Sequence, residues 1–265
     1  MRRVQLFEFE DLTWWPQGLR NYLTEVLSHL LTSDRTYAPI VPRLAAAVRR
    51  SASRRIVDFC SGSGGPSLAV LDAVNAELDE PLEIVLSDKY PNVARLEAAV
   101  AEHPGCSFVP APVDVLHTID LPRELDGFRT MFTALHHFRP AEVGQILTDA
   151  VAHRSAIALF EFTERGLSQM AASVSLTPLL TLGVTPKLRP RTLGRLFWTY
   201  VIPVVPLTFA WDGLVSALRS YSPSELHRIV GTVANADEFE WDIGRTPPAK
   251  HGLPFRITYL IGTPR

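Results

Sequence analysis

Residues 56–66 read IVDFCSGSGGP, in which an apolar run ends in an acid and passes into small residues and glycines. β-Branched and aromatic residues bounded by glycines are typical of a buried strand. Glycines let the backbone approach a ligand closely and adopt φ values closed to other residues. A helix is predicted over 66–78, and its N-terminus presents free N–H groups to a ligand carboxylate or phosphate. The stretch therefore predicts a ligand site at a strand–turn–helix junction.

The rest of the chain alternates short strands with helices. Helices are predicted over 92–101 and 140–153, and a capping box from Ser222 to Glu225 predicts another. Strands are predicted over 55–60, 82–87, 106–111, 128–133, 156–160, 238–243 and 255–261. This alternation predicts an α/β fold with a mostly parallel sheet and right-handed crossovers.

Asp58 helps to distinguish between two kinds of glycine-rich turn. The pair Gly62 and Gly64 would also suit a dinucleotide, but the third glycine of that fingerprint falls at Ser67. A carboxylate at Asp58 would repel a pyrophosphate and suits a ligand with positive charge. The turn therefore favours a cationic cofactor.

Residues 57–65 (VDFCSGSGG) resemble motif I of class I S-adenosylmethionine (SAM)-dependent methyltransferases, an acid-x-Gly-x-Gly-x-Gly run, with Cys60 in place of the first glycine. Three further matches follow in the family's order, at the ends of the next strands: SDK at 87–89, VDV at 113–115 and TALHHF at 133–138. Together they cover residues 54–164. The segments 6–16 and 211–226 are similar to a subgroup of bacterial small-molecule methyltransferases.

The resemblance implies a Rossmann-like methyltransferase fold, with a mostly parallel seven-stranded sheet and an antiparallel last strand. Residues 1–53 would form an N-terminal helical segment that closes over the site. Residues 54–265 would form the SAM-binding domain, with a helical cap inserted at about 162–221. The cofactor-binding residues that it implies are Asp58, Ser61, Gly62 and Gly64 around the methionine end, Asp88 on the ribose, Lys89, Asp114 on the adenine, Val115 and Thr133.

Catalytic candidates stand where methyl donor and acceptor would meet. His136 or His137 is able to accept a proton from the acceptor, and Glu161 to orient or deprotonate it. A histidine bonded to loop backbone and a Glu161–arginine ion pair stay open as structural alternatives. No metal is expected, because no third ligand has recognisable spacing. The predicted substrate residues, for which core packing is the alternative, are Trp14, Trp15, Tyr22, Trp198 and Trp211.

Composition excludes several classes. The net charge of −2 over 265 residues argues against a general nucleic-acid binder, and two cysteines exclude a disulfide scaffold. The charged N-terminus shows no secretory signal, so a cytoplasmic location is expected. The apolar stretch 196–211 is short for a membrane span and contains Pro203 and Pro206, so we interpret it as buried or pocket-lining. The basic cluster of Lys187, Arg189, Arg191 and Arg195 is interpreted as a solvated face.

The resulting hypothesis is a SAM-dependent methyltransferase that acts on an oxygen or nitrogen of a small, largely apolar or aromatic acceptor in secondary metabolism. The products would be the methylated acceptor and S-adenosylhomocysteine (SAH). A protein that binds SAM or SAH without methyl transfer, and a lipid- or membrane-facing interaction protein, stay open as alternatives. An RNA methyltransferase is disfavoured by the net charge, and stable membrane insertion is not expected. The sequence does not indicate an oligomeric state.

Overall fold

Seven strands form a single sheet among residues 1–33, 36–51, 53–117, 125–248 and 256–265, which a computed structural model describes. The strands are β1 (Arg55–Phe59), β2 (Glu83–Leu86), β3 (Cys106–Phe108), β4 (Phe128–Phe132), β5 (Ile157–Glu161), β6 (Phe239–Arg245) and β7 (Thr258–Pro264). Their order across the sheet is β3-β2-β1-β4-β5-β7-β6.

The first five strands run parallel, and β7 lies antiparallel between β5 and β6. This confirms the predicted mostly parallel sheet with an antiparallel last strand. The prediction for 255–261 overlaps β7, although residue 255 lies outside the described residues. Asp58 of β1 is in register with Leu86 of β2 and Thr130 of β4. The carboxyl ends of these three strands therefore meet at one edge, where ligands bind in open α/β sheets.

Helices cover both faces of the sheet. Those before the cap are α1 (Gln17–Ser33), α2 (Val41–Ser51), α3 (Ser67–Asn75), α4 (Val93–Ala101) and α5 (Pro140–Ala152). Those of the cap and beyond are α6 (Leu167–Val184), α7 (Leu193–Leu196), a π-helical turn (Phe197–Val201), α8 (Val204–Arg219) and α9 (Pro223–Val230). The capping box of Ser222 and Glu225 starts α9 as predicted.

Two apolar cores follow from the alternation of side chains along the strands. Ile56 of β1 joins one core with residues of α2 and α3, such as Leu44 and Leu71. The next residue, Val57, joins the other core with residues of α5 and α9, such as Leu147. The sheet is therefore held rigidly from both sides, which fixes the positions of the side chains at its carboxyl edge.

A smaller core joins the N-terminal helix to the cap. Trp15 and the α1 residues Leu19 and Leu23 are buried together with Val205 of α8. Helices occupy most of residues 162–221, the stretch that we call the cap, and α6 and α8 pack along each other there. The N-terminal segment and the cap thus form one layer above the carboxyl edge.

The interpretation of 196–211 as buried or pocket-lining is wrong for much of this stretch. Val201 is 69% exposed and Leu207 is 63% exposed, because only one side of the π-helical turn and of α8 packs against the protein. Of the described helices, Leu167–Lys187 is long and apolar enough to cross a membrane, by length and composition alone. The pair Leu193–Val201 and Val204–Arg219 passes the same test but is bent by 72°.

Candidate active site

A cavity of about 530 Å³ opens at the carboxyl ends of β1, β2 and β4. This volume lies in the range of small-molecule sites. The loops after the strands form its floor, and the N-terminal segment forms one wall. The cap forms another wall, through Ala172, Ser173, Leu176, Thr177 and Leu180 of α6 and Phe209, Asp212, Gly213 and Ser216 of α8.

The turn after β1 keeps a left-handed backbone at three positions. Gly62 and Gly64 have φ of 57° and 87°, and Cys60 also has a φ of 57°. Cys60 therefore occupies a conformation that favours glycine, as the resembled motif has there. Ser61 and Gly62 line the cavity as predicted. A Cβ on Gly62 would meet nothing closer than the Thr24 side chain at 3.9 Å, so the ligand side of this turn is open.

Gly64 does not line the cavity, and the prediction that it contacts the cofactor is corrected. A Cβ there would lie 3.4 Å from the side chains of Leu68 and Ala99. This glycine therefore allows α3 and α4 to pack closely against the turn.

Asp88 stands at the cavity edge with its carboxylate fixed by backbone. Its Oδ2 accepts a hydrogen bond from the Gly62 N–H at 2.7 Å, and its Oδ1 accepts one from the Tyr90 N–H at 2.7 Å. Burial raises the pKa of Asp88 above its ordinary value. The contact ties the loop after β2 to the glycine turn, so both present one surface to a ligand.

Asp58 is a structural residue here, which corrects its predicted cofactor contact. Its side chain is fully buried and absent from the cavity wall. Ser61 and Ser67 donate hydrogen bonds to its Oδ2 at 2.7 Å and 2.6 Å, and Thr130 donates to its Oδ1 at 2.7 Å. Burial raises the pKa of Asp58 to about 6. Asp58 therefore acts on the cavity through Ser61 and Ser67, both of which line it.

The remaining predicted cofactor residues all line the cavity. Lys89 Nζ donates to Asp114 Oδ2 at 2.7 Å, and Val115 follows in the same wall. Burial tends to raise the pKa of Asp114, but the hydrogen bond from Lys89 and the N–H of Leu116 outweigh it and lower that pKa. Asp114 is thus an anchored carboxylate with a partly exposed edge.

Thr133 begins the loop that carries both histidines. Its backbone is left-handed, with a φ of 55°, and its hydroxyl shares a hydrogen bond with the buried phenol of Tyr37. Sequence reasoning missed Tyr37, because the 96 residues between the two hide the contact. The pair fixes the exit of the chain from β4.

His136 and Glu161 form a buried dyad. The His136 Nδ1 lies 2.6 Å from Glu161 Oε2, and Thr163 donates to Glu161 Oε1 through its hydroxyl at 2.8 Å. The alternative pairing of Glu161 with an arginine is excluded for Arg165, whose guanidinium pairs with Glu225 instead. With the Nδ1 proton donated to Glu161, the His136 Nε2 remains for a second partner.

His137 lines the cavity as well. The two imidazole centroids lie 4.3 Å apart. The His137 Nδ1 lies 2.7 Å from Asp11 Oδ1, and Asp11 Oδ2 accepts from the Arg219 guanidinium at 2.6 Å. His137 is therefore anchored to the N-terminal segment, whereas His136 is anchored to the sheet.

Glu8 is the functional side chain that sequence reasoning missed. Its Oε2 lies 3.7 Å from His136 Nε2 and 3.6 Å from His137 Nδ1, and its Oε1 accepts from Arg219 at 3.1 Å. No local pattern reveals it, because Arg219 is 211 residues away. Glu8 covers the nitrogen of His136 that an acceptor would need.

The histidines and carboxylates of this cluster stabilise one another's charged forms. Burial alone would lower the pKa of His136, but the carboxylates of Glu161 and Glu8 outweigh it and raise that pKa to about 10. Burial tends to raise the pKa values of Glu161 and Glu8, yet the histidines hold both below their ordinary values. At neutral pH the dyad is therefore an ion pair, and Glu8 is the second carboxylate that supports the imidazolium charge.

Glu8, His136 and His137 bring three possible metal-ligand atoms within 4.8 Å of one another. The reason given for expecting no metal, the lack of a third ligand, is therefore corrected. Asp11, Glu161 and Arg219 already pair with these three side chains and balance their charges. The expectation that the reaction needs no metal stays a prediction.

The five predicted substrate aromatics do not line the cavity. Trp14 is 67% exposed, while Trp15, Tyr22 and Trp198 belong to the small core between α1 and the cap. The Trp211 Nε1 donates to the Phe7 carbonyl at 3.0 Å, outside the wall. Core packing, the alternative, holds for Trp15, Tyr22 and Trp198, whereas Trp14 is mostly exposed.

Solved structures of methyltransferases resemble this chain. The plantazolicin methyltransferase BpumL, in complex with SAH, has a TM-score of 0.55 at 9% identity over 94% of this chain and 96% of its own. Human N-acetylserotonin methyltransferase, in complex with SAM, has a TM-score of 0.51 at 12% identity, over 94% of this chain and 56% of its own. The mitomycin 7-O-methyltransferase MmcR has a TM-score of 0.45 at 19% identity, over 83% of this chain and 52% of its own.

This chain thus spans about half the length of the last two proteins and almost all of the first. No family model and no curated protein sequence matches it. Identities this low establish the fold and not the activity. The strand order, the antiparallel β7 and the likeness to BpumL and human N-acetylserotonin methyltransferase together show that the chain has the fold of class I SAM-dependent methyltransferases.

Proposed function

We propose that the chain is a SAM-dependent methyltransferase whose acceptor is a hydroxyl group on a small, largely apolar or aromatic molecule. The observation that carries this proposal is the buried His136–Glu161 dyad in the wall of the cavity beside the glycine turn, with the His136 Nε2 against Glu8. A nitrogen acceptor with a free lone pair needs no such base. The dyad therefore favours oxygen over nitrogen.

The residues at the edge of the sheet fit the cofactor. Asp88 is placed to hold the ribose hydroxyls, and Gly62 leaves the ligand side of the turn open. Asp114 and Val115 would border the adenine, with Ser61 and Thr133 nearer the methionine end. Bound SAM supplies a methyl group on a sulfonium centre that is already activated for displacement.

The proton of the acceptor is handled by His136. An acceptor that displaces Glu8 from Nε2 removes one of the two carboxylates that keep the imidazole protonated. The hydroxyl then gives its proton to the neutral imidazole, or arrives as an anion and pairs with the charged one. Both routes place an oxyanion beside an imidazolium that Glu161 stabilises.

The cavity walls supply the rest of the catalysis by position. Leu176, Leu180 and Phe209 offer apolar surface to the acceptor, and the N-terminal segment closes over it. Alignment of acceptor and methyl donor for in-line displacement is then the main source of rate enhancement. A cytoplasmic location and a place in secondary metabolism stay part of this proposal.

The test is a product assay with SAM and a panel of lipophilic phenols and matched anilines. We expect SAH and a methylated phenol, detected by mass spectrometry, and loss of both in His136→Asn. Transfer to anilines alone would replace the oxygen proposal with a nitrogen one. SAM binding without any SAH formation would favour the alternative of a cofactor-binding protein.

A further inference from the structure

The outer side of the cap is apolar and faces solvent. Among the described residues, ten of the sixteen exposed large apolar side chains fall within 167–207. Leu193 is 86% exposed and Leu179 is 64% exposed. Only 22% of the apolar window in Leu167–Lys187 is buried inside the protein, whereas a core helix would be mostly buried. Such concentrations mark interaction surfaces.

The helices that carry these side chains are in contact with one another. The helices α6 and α8 pack along each other, and the Tyr200 hydroxyl donates to the Leu182 carbonyl at 2.5 Å, which ties the π-helical turn to the end of α6. We call this surface the outer face. Its members are Val174, Leu179, Tyr200, Val201, Ile202 and Leu207.

Charge distinguishes this part of the chain from the rest. Residues 166–211 contain no aspartate or glutamate but four basic residues, in a chain whose net charge is −2. Arg195 is buried and pairs with Glu25, which corrects its place in the predicted solvated cluster. The other three, Lys187, Arg189 and Arg191, are exposed on the connection between α6 and α7.

We propose that the outer face docks reversibly on an anionic lipid bilayer. Apolar side chains beside a basic rim suit a surface with an acyl interior and negatively charged headgroups, each exposed cation adding to the attraction. Such a rim without acids would also attract a nucleic acid, but exposed leucine and valine side chains gain nothing from phosphates. The bilayer is therefore the occupant that both features fit.

The outer face docks at the surface of the bilayer and does not span it. The opposite side of α6 places Ser173 and Thr177 in the cavity wall, so this helix cannot be surrounded by lipid. The 72° bend between Leu193–Val201 and Val204–Arg219 means that this pair does not form one straight span. The outer face is thus seated at the headgroup boundary, with the cavity on its protein side.

The experiment is co-sedimentation of the full chain with phosphatidylcholine vesicles, with and without phosphatidylglycerol. We expect binding to the mixed vesicles that weakens with added salt, and little binding to phosphatidylcholine alone. Leu179→Asp/Val201→Asp and Lys187→Glu/Arg189→Glu should each weaken binding about tenfold or more. Matched controls elsewhere on the surface are Val93→Asp and Arg54→Glu, which should bind as wild type does.

Circular dichroism and SAM binding verify that each variant is folded. Equal binding of all four variants, or no binding by folded wild type, overturns the proposal. So does a concentration-dependent dimer that Leu179→Asp/Val201→Asp abolishes without any vesicle binding, because a second copy would then cover the outer face. Retention on an anionic nucleic acid but not on vesicles would overturn it as well.

Discussion

The carboxyl edge of the sheet and the N-terminal segment above it are held by different interactions. At the edge, Asp88 and Asp58 are fixed by backbone N–H groups and neutral hydroxyls. Above the edge, Glu8 and Asp11 are held by the charges of Arg219 and the histidines. The first arrangement gives a rigid binding surface, and the second gives a set of ionisable groups that a ligand can rearrange. We therefore propose that the cofactor binds at the carboxyl edge of the sheet. Proton transfer would take place where this edge contacts the N-terminal segment.

The largest expected effect separates chemistry from cofactor binding. His136→Asn should lower kcat by at least about 10²-fold, because the general base is lost, while the Kd for SAM stays near that of wild type. Steady-state kinetics with a free phenol that wild type methylates, and calorimetric titration of SAM, measure the two quantities. His137→Asn is the control and should lower kcat much less. An unchanged kcat in His136→Asn would move the proton-transfer role elsewhere.

Glu161→Gln tests the buried ion pair. The loss of this carboxylate leaves a buried imidazole without its partner and should reduce the free energy of unfolding at pH 7 by about 3 kcal/mol. The pair contributes fully above the ordinary Glu pKa of 4.5 and below the ordinary His pKa of 6.5, so the difference should shrink as pH rises above about 6.5 and be lost through the His136 pKa of about 10. Urea denaturation at several pH values measures it.

Glu164→Gln is the matched control for that measurement. Its carboxylate is partly exposed and pairs with Arg245 at 3.3 Å, so the change should cost less than about 1 kcal/mol. A loss in Glu161→Gln no greater than this control would show that the dyad contributes little to folding.

Asp58→Asn tests whether this acid is structural. The amide has one acceptor oxygen in place of two, so hydrogen bonds from Ser61 and Ser67, or that from Thr130, lose their acceptor. We expect a loss of about 1–3 kcal/mol in the free energy of unfolding and a small change in the Kd for SAM. Urea denaturation and calorimetric titration of SAM on the same preparation measure the two quantities. An unchanged free energy of unfolding together with a large rise in the Kd for SAM would show that Asp58 contacts the cofactor directly.

Asp212→Asn tests how the segment is joined to the cap, through the pH dependence of the free energy of unfolding. The N–H groups of Phe9 and Glu10 donate to Asp212 at 2.8 Å and 3.3 Å. Burial and the nearby Glu10 raise the pKa of Asp212 to about 8, so the folded chain holds a proton there that the unfolded chain releases above pH 3.8. This group therefore lowers stability as pH rises towards 8, by at most about 1.4 kcal/mol per pH unit.

The asparagine variant lacks that titration. The free energy of unfolding of the variant should therefore rise relative to that of wild type between pH 5 and 8. Urea denaturation at each pH measures this difference. A constant difference across this range would show that Asp212 is ionised in the folded protein.

Local sequence patterns were enough to predict which residues lie at much of the carboxyl edge of the sheet. The positions of the glycine turn, Asp88, Asp114, His136 and Glu161 at this edge could be predicted because each lies at the end of a strand or in the loop that follows it. The direction of a side chain at a strand end was not predictable, and Asp58 therefore turns into the protein instead of the cavity.

Long-range contacts account for what the sequence did not reveal. Glu8 meets Arg219 across 211 residues, and Tyr37 meets Thr133 across 96. The aromatic residues have the same apolar character whether they line a cavity or brace its wall, so composition placed Trp198 and Trp211 wrongly. The exposed side of 196–211 likewise depends on which neighbours cover it.

The most direct test of the account is calorimetric titration of SAM and SAH into wild type and Asp88→Ala. The account predicts binding by wild type that weakens about tenfold or more in the variant, because the anchored ribose-binding carboxylate is lost. Asp72→Ala, which removes an exposed acid of α3, should bind as wild type does. No binding by folded wild type, or an equal Kd in Asp88→Ala, would contradict the assignment of the cofactor to this edge.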